Sequence, residues 1–349
     1  MDGQKLEEAR KYAFEEGRNT QGVVVVRRGL IVADWYAPGA SADSWATSWS
    51  VAKSFASALV GMAIDEGLIE SVDVPMSRYI PGWAGTDKEK ILLRHVLQMA
   101  PGLEWNEDYN PNALETSDVI QLVLKGGQEL EVAASKPVVA PPGTVFKYSS
   151  GSSMLLSAVI QGATGMSALG YARKKLFAPL GIERADWWQS MEGHTLTFCC
   201  VDMTSRDFAR FGLLYARGGK WKDQTLVSPE WVESSSAPSP ANAGYGYQWW
   251  LLGVQTQTGP GGPAVPSTLP AGTFAAIGVD DQIIYVVPAL DLVVVRNGSY
   301  VKDPGPAVAD PQLVVHLPPS GIIEGKGTLA PKDWDIAGFL ELVIAAVRQ

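Results

Sequence analysis

Ser50 and Lys53 stand three positions apart in Thr47-Ser-Trp-Ser-Val-Ala-Lys-Ser-Phe, where a helix begins. Residues three apart share one helix face, so hydroxyl and amine are neighbours. An alcohol beside an amine kept from water is a nucleophile with its own proton acceptor, the requirement for covalent catalysis by serine without histidine. The amine serves only if its pKa falls from about 10.4 toward neutrality, and burial together with the positive end of a helix works in that direction. Trp49, Val51, Ala52 and Phe55 are apolar neighbours that supply the desolvation. Spacing alone does not select this pair, because Ser299 and Lys302 repeat it. That second pair runs into Asp303-Pro304-Gly305-Pro306, which forbids a helix and leaves the two side chains without a fixed relation.

Tyr148 and Ser150 lie further along, in Gly143-Thr-Val-Phe-Lys-Tyr-Ser-Ser-Gly151, a loop ahead of a helix. From there the phenol can face the same site. Lys53 close by would stabilise its phenolate, and Tyr148 would act as general base in acylation and general acid toward the leaving group. Ser150 would hydrogen-bond the lysine or the substrate. The loop Glu104-Trp-Asn-Glu-Asp-Tyr-Asn110 follows the helix stop Pro101-Gly102. Trp105 and Tyr109 are its candidates for touching substrate, the plainer alternative being a solvated loop with one buried ring.

The elements that must position these groups follow from periodicity. An amphipathic helix near residues 3 to 16 precedes two apolar runs, Val23 to Arg27 and Leu30 to Tyr36, split at Arg28-Gly29 as in a hairpin. The segment from Ser50 to Glu66 is apolar almost all round and stops at Gly67, which predicts a buried helix. Helical signals continue with a capping box at Thr86 and Glu89 ahead of Ile91 to Leu97, then Asp118 to Lys125 and a helix after Gly151. Thr204 to Arg217 and the Ser228-Pro229 start add two more. Strands return at Thr273 to Gly278, Gln282 to Val287 and Leu292 to Arg296, and a last helix runs from Trp334 to Val347. Thr256 to Pro270 and Asp303 to Pro331 read as long Gly/Pro-rich loops. The fold class expected is α+β, an antiparallel sheet built from both termini and flanked by helices (α/β/α), with residues 1–48 and 202–349 forming the sheet part and 49–201 a mainly helical lobe.

Composition narrows the function classes. The chain has 349 residues, 46% hydrophobic and 19% charged, enough for a substantial core. Its net charge of −9 and lack of a long Lys/Arg cluster argue against a nucleic-acid partner. No run reaches the roughly 18 to 20 apolar residues of a membrane span. The charged N-terminus does not read as a signal peptide, so a cytoplasmic location is expected. Cys199 and Cys200 are adjacent and offer no disulfide framework across the fold. His95, His194 and His316 are scattered without zinc spacing, and there is neither a Gly-x-Ser-x-Gly elbow nor a phosphate loop, so neither metal nor cofactor is expected.

Taken together, Ser50-Val-Ala-Lys53, Tyr148-Ser-Ser150 and the strand end Ala276-Ile277-Gly278 resemble the three motifs of the penicillin-recognising serine hydrolases. That superfamily includes class C β-lactamases, DD-peptidases, family VIII carboxylesterases and 6-aminohexanoate-dimer hydrolase. Leu93-Arg-His-Val-Leu-Gln-Met-Ala-Pro-Gly-Leu, Tyr245-Gly-Tyr-Gln-Trp-Trp250 and Tyr285 to Val295 extend the likeness over most of the chain. The resemblance implies a β-lactamase/transpeptidase-like fold, Ser50 as the acylated nucleophile, Lys53 as its activator and Tyr148 as general acid/base. It further implies an oxyanion hole made by the backbone N–H groups of Ser50 and Val279, with Gly278 letting substrate lie against the strand. Two positions depart from the pattern. Ala276 stands where a Lys or His usually attracts the substrate carboxylate, and Ser150 where Asn is common. The expectation is therefore an esterase or small-amide hydrolase acting on a small molecule, with a β-lactamase or D-amino-acid peptidase as the alternative and a catalytically silent binding relative as the alternative of another class. A homodimer is left open.

Overall fold

The computed structural model describes residues 1–109, 116–124, 127–254, 256–257, 264–265, 267–299 and 334–348. Lys302, His316 and the Asp303–Pro331 stretch lie outside them, as do residues 258–263 and 266 of the 256–270 loop. The chain opens with helix α1 (Gly3–Ala13), capped by Asp2, and continues into strands β1 (Thr20–Arg27), β2 (Leu30–Tyr36) and β3 (Trp45–Thr47). A 3-10 turn over Trp49–Val51 runs directly into α2 (Ala52–Asp65). Next come α3 (Ser150–Thr164), the short strands β4 (Asp186–Trp187) and β5 (Val201–Thr204), and α4 (Ser205–Ala216), capped by Thr204. Strands β6 (Trp250–Leu251), β7 (Phe274–Gly278), β8 (Gln282–Val287) and β9 (Leu292–Gly298) precede the last helix, α5 (Ile336–Ala345).

Six strands form one antiparallel sheet in the order β2-β1-β9-β8-β7-β6, so strands from both ends of the sequence meet at the β1–β9 pair. Its sequence of unbroken valines reflects cover on both faces. Val24, Val26, Ile284, Val293 and Val295 enter the larger core with α2 and α4, while Val23, Val25, Ile283, Tyr285 and Val294 enter a second core with α1 and α5. Side-chain alternation along each strand thus divides one apolar run between two layers. Close packing of α4 depends on Gly212, where a Cβ would stand 2.6 Å from Val293 Cγ1 and 2.7 Å from Ile284 Cγ2.

A second, three-stranded sheet in the order β3-β5-β4 joins the segment before Ser50 to residues 186–204. Periodicity gave no sign of it, since its strands are two to four residues long. One helix boundary also differs from expectation. Thr86 caps only a 3-10 turn, Asp87–Lys90, through the Lys88 N–H, and the following α-helix is confined to Leu93–Leu97. Between them Ile91 accepts from Met76 N–H and Leu93 N–H donates to Val74, so tertiary backbone bonds override the local capping signal.

Candidate active site

Ser50 lies in the 3-10 turn at the head of α2, and its neighbours set its position. Trp49 adopts a left-handed backbone (φ 45°), costly for a bulky residue, and its indole N–H donates to Asp280 Oδ2 at 3.1 Å. Asp280 follows β7 closely, so this bond ties the head of α2 to the strand end. Gly278 allows the approach: a Cβ there would come within 2.9 Å of the Ser50 backbone nitrogen. Its small size thus serves helix against strand, and Ser50 and Val279 border the same cavity.

Lys53 is the second residue of α2, one turn beyond Ser50, and is 1% exposed. Its Nζ donates to Ser50 Oγ at 2.8 Å, Ser150 Oγ at 3.1 Å and the Phe198 carbonyl at 2.8 Å. Three donors thus meet three oxygens, none of them charged. Burial pushes the amine down to about 8, against the opposing pull of the Glu107 carboxylate. Nearby, Tyr148 sits just before α3 with its ring 5.0 Å from Lys53 Nζ, stacked on Trp250 and edge-on to Tyr245. Burial, reinforced by Glu107, pushes its phenol well up, with hydrogen bonding to Ser50 opposing. The direction favours the neutral phenol, opposite to the stabilisation of a phenolate expected from the lysine's proximity.

Ser50, Tyr148, Gly278 and Val279 open on a cavity of about 420 Å³, walled further by Tyr109, Trp250, Leu252, Ile277 and Ile336. Among the described residues no charged side chain lines it. Two expected substrate contacts fall elsewhere. Trp105 is 5% exposed, packs over Gly151 at the start of α3 and gives its indole N–H to Glu107. Ala276 is 1% exposed and turns into the larger core, since alternation along β7 gives the cavity Ile277. Ser150 is buried beside Lys53 rather than on the cavity wall, whereas Tyr109 does reach it.

Two residues escaped the sequence reading. Glu107 accepts from Ser150 Oγ at 2.6 Å, Ser150 N–H at 2.9 Å and Tyr109 Oη at 2.6 Å. Gln248, 2% exposed, accepts from Ser153 Oγ at 2.7 Å and donates its amide to the Val96 and Leu97 carbonyls. Its own carbonyl accepts from Ser54 Oγ at 2.6 Å, so one residue fastens α2 to α3. The Trp-Trp-rich phrase around it was visible, but nothing in its spacing marked the glutamine. Cys199 and Cys200, next to the carbonyl that receives Lys53, are bonded to each other and join no distant segments. Among the described residues no cluster of His, Cys, Asp or Glu is arranged to hold a metal, and no helix is long and apolar enough to cross a membrane.

The family profile described as Beta-lactamase matches residues 7–316. The chain is 26% identical to the 6-aminohexanoate-dimer hydrolase of Paenarthrobacter ureafaciens over 80% of its own length and 73% of the relative's. Among solved structures it superposes on EstCE1, a hydrolase with promiscuous acyltransferase activity, with a TM-score of 0.66, 16% identity and coverage of 84% and 92% of the two chains. It likewise matches the octameric penicillin-binding protein homologue from Pyrococcus abyssi, with a TM-score of 0.61, 18% identity and coverage of 86% and 74%. A profile match over most of the sequence and a shared α+β architecture place the chain in the β-lactamase family, as a serine hydrolase.

Proposed function

We propose that this hydrolase cleaves carboxylic esters or small amides through an acyl-Ser50 intermediate. The observation that carries the reading is the Lys53 amine, depressed to about 8 and 2.8 Å from Ser50 Oγ, at the edge of a cavity whose described lining residues are all uncharged. Neutral Lys53 takes the Ser50 proton as Oγ attacks the carbonyl carbon. The Ser50 and Val279 N–H groups hold the oxyanion. As the C–O or C–N bond breaks, the Tyr148 phenol protonates the leaving group and recovers a proton from the Lys53 ammonium. Water then adds to the acyl-enzyme, giving up its proton to the same pair, and releases the acid. Support for amide and ester substrates comes from the 6-aminohexanoate-dimer hydrolase and EstCE1 likenesses. The uncharged walls disfavour a substrate carboxylate, which a penicillin-type ligand carries.

Intact-mass analysis after a fluorophosphonate tests the chemistry. A single adduct is expected on the wild type and none on Ser50→Ala; an unlabelled wild type would mean a catalytically silent protein. Turnover of p-nitrophenyl butyrate against nitrocefin tests the substrate class, and faster nitrocefin hydrolysis would overturn it in favour of a β-lactamase.

A further inference from the structure

Glu107 is a carboxylate one hydroxyl away from the proton acceptor. The contacts run in series: Lys53 Nζ to Ser150 Oγ at 3.1 Å, then Ser150 Oγ to Glu107 Oε1 at 2.6 Å. The other carboxylate oxygen accepts the Ser150 backbone N–H at 2.9 Å, at the first residue of α3, and the Trp105 indole N–H. Tyr109 Oη completes the shell at 2.6 Å. Two aromatic donors, a hydroxyl and a helix-start amide therefore fix the carboxylate in orientation and register.

This arrangement has a chemical consequence that a packing role would not need. When a neutral lysine accepts the serine proton, a positive charge appears on a side chain that is 1% exposed. The groups facing Lys53 are Ser50 from the head of α2, Ser150 and the Tyr148 ring from the start of α3, and the Phe198 carbonyl and ring from the segment before β5. None bears a charge, and Glu107 is the charged group among the described residues that acts on the amine. The phenols of Tyr109, Tyr148 and Tyr245 also stand near Glu107, and Lys136, paired with Asp118, lies over the Trp105 ring. We propose that Glu107 is a positioning residue that completes a Ser50–Lys53–Ser150–Glu107 relay, turning Ser150 toward the amine and stabilising the ammonium that forms as Ser50 attacks. The role parallels that of the carboxylate that orients histidine in a serine triad, with one hydroxyl interposed.

The proposal rests on the Ser50–Lys53 chemistry above, and its test separates the two. The rate of Ser50 labelling by a fluorophosphonate is followed from pH 6 to 10 in the wild type and in Glu107→Gln, Glu107→Asp and Ser150→Ala, each normalised to folded protein by circular dichroism. An unlabelled wild type defeats the serine-hydrolase reading itself. Given labelling, Glu107→Gln is expected to lower the plateau rate roughly 10- to 100-fold, the scale of losing an orienting partner. It is also expected to move the acidic limb about one pH unit lower, because removing an anion weakens proton binding by the lysine. Glu107→Asp keeps the charge and should hold the limb at the wild-type pH. Ser150→Ala removes the bridging hydroxyl but leaves the anion, so its plateau falls while the limb stays near the wild type. A Glu107→Gln protein that labels with the wild-type limb and plateau, or that slows without moving the limb, overturns the relay.

Discussion

Lys53 shows how a single buried amine sets the working conditions of the site. Its pKa is held near 8 chiefly by burial, and the base must be neutral. The kcat/KM of the free enzyme is therefore expected to rise with pH through a half-maximum near 8 and to reach its plateau above, as a pH–rate profile on p-nitrophenyl butyrate will show. Lys53→Arg should be inactive across that range, since guanidinium keeps its proton; appreciable turnover would remove Lys53 from the role of base. The 2.8 Å contact of Ser50 with Lys53 was legible because the proposed chemistry needs their types at helical spacing. Glu107 was not, because it stands among Glu104 and Asp108 in one short loop and only the fold turns it onto Ser150. Trp105 and Ala276 were misplaced for a related reason. Type and position suggested substrate contact, but the side of the loop and the phase of the strand decide, and both point into protein.

At the scale of elements, the catalytic groups come from separate pieces that must stay in register to a fraction of an ångström. Gln248 supplies much of that register between α2, α3 and the Leu93–Leu97 helix. Gln248→Ala leaves Ser153 Oγ and the amide's carbonyl acceptors without these partners in a buried site, a loss of about 1–3 kcal/mol by the usual cost of orphaned polar groups. Denaturant unfolding is expected to show that loss, and kcat per folded molecule to fall as well; a variant with wild-type stability would mean water replaces the amide. Gly278→Val makes a complementary prediction. Its side chain would strike the Ser48 carbonyl and the Ser50 nitrogen, so the helix head and strand end must part. Fluorophosphonate labelling should then drop at least tenfold, the order of losing one oxyanion donor. The long strands and α2 could be read from sequence because burial on all sides leaves unbroken apolar runs bounded by glycine or turn residues. The β3-β5-β4 sheet and the 3-10 turn before Leu93 could not, since their residues answer to distant backbone partners.

For the whole molecule, the sheet separates two cores with different relations to the chemistry. Phe55 lies in the larger one, fully buried, stacked on Phe211 at 3.8 Å and edge-on to Phe177, Trp187 and Phe208. It is two residues beyond Lys53 on the same helix, so a cavity there frees the catalytic helix to shift. Leu340 lies in the second core on α5, also fully buried, with Phe339 and Val343 against the opposite face of the sheet. Either truncation to alanine removes a large apolar side chain and should cost on the order of 2–5 kcal/mol. The two costs should read out differently. Phe55→Ala is expected to lower both stability and kcat per folded molecule, whereas Leu340→Ala should lower stability with a smaller loss of kcat per folded molecule, because the sheet stands between Leu340 and Ser50 and α5 reaches the cavity wall through Ile336, one turn earlier. Unfolding curves paired with active-site titration by the fluorophosphonate measure both quantities on one sample. Equal losses of kcat in the two variants would show that the sheet transmits packing defects to the site instead of screening it.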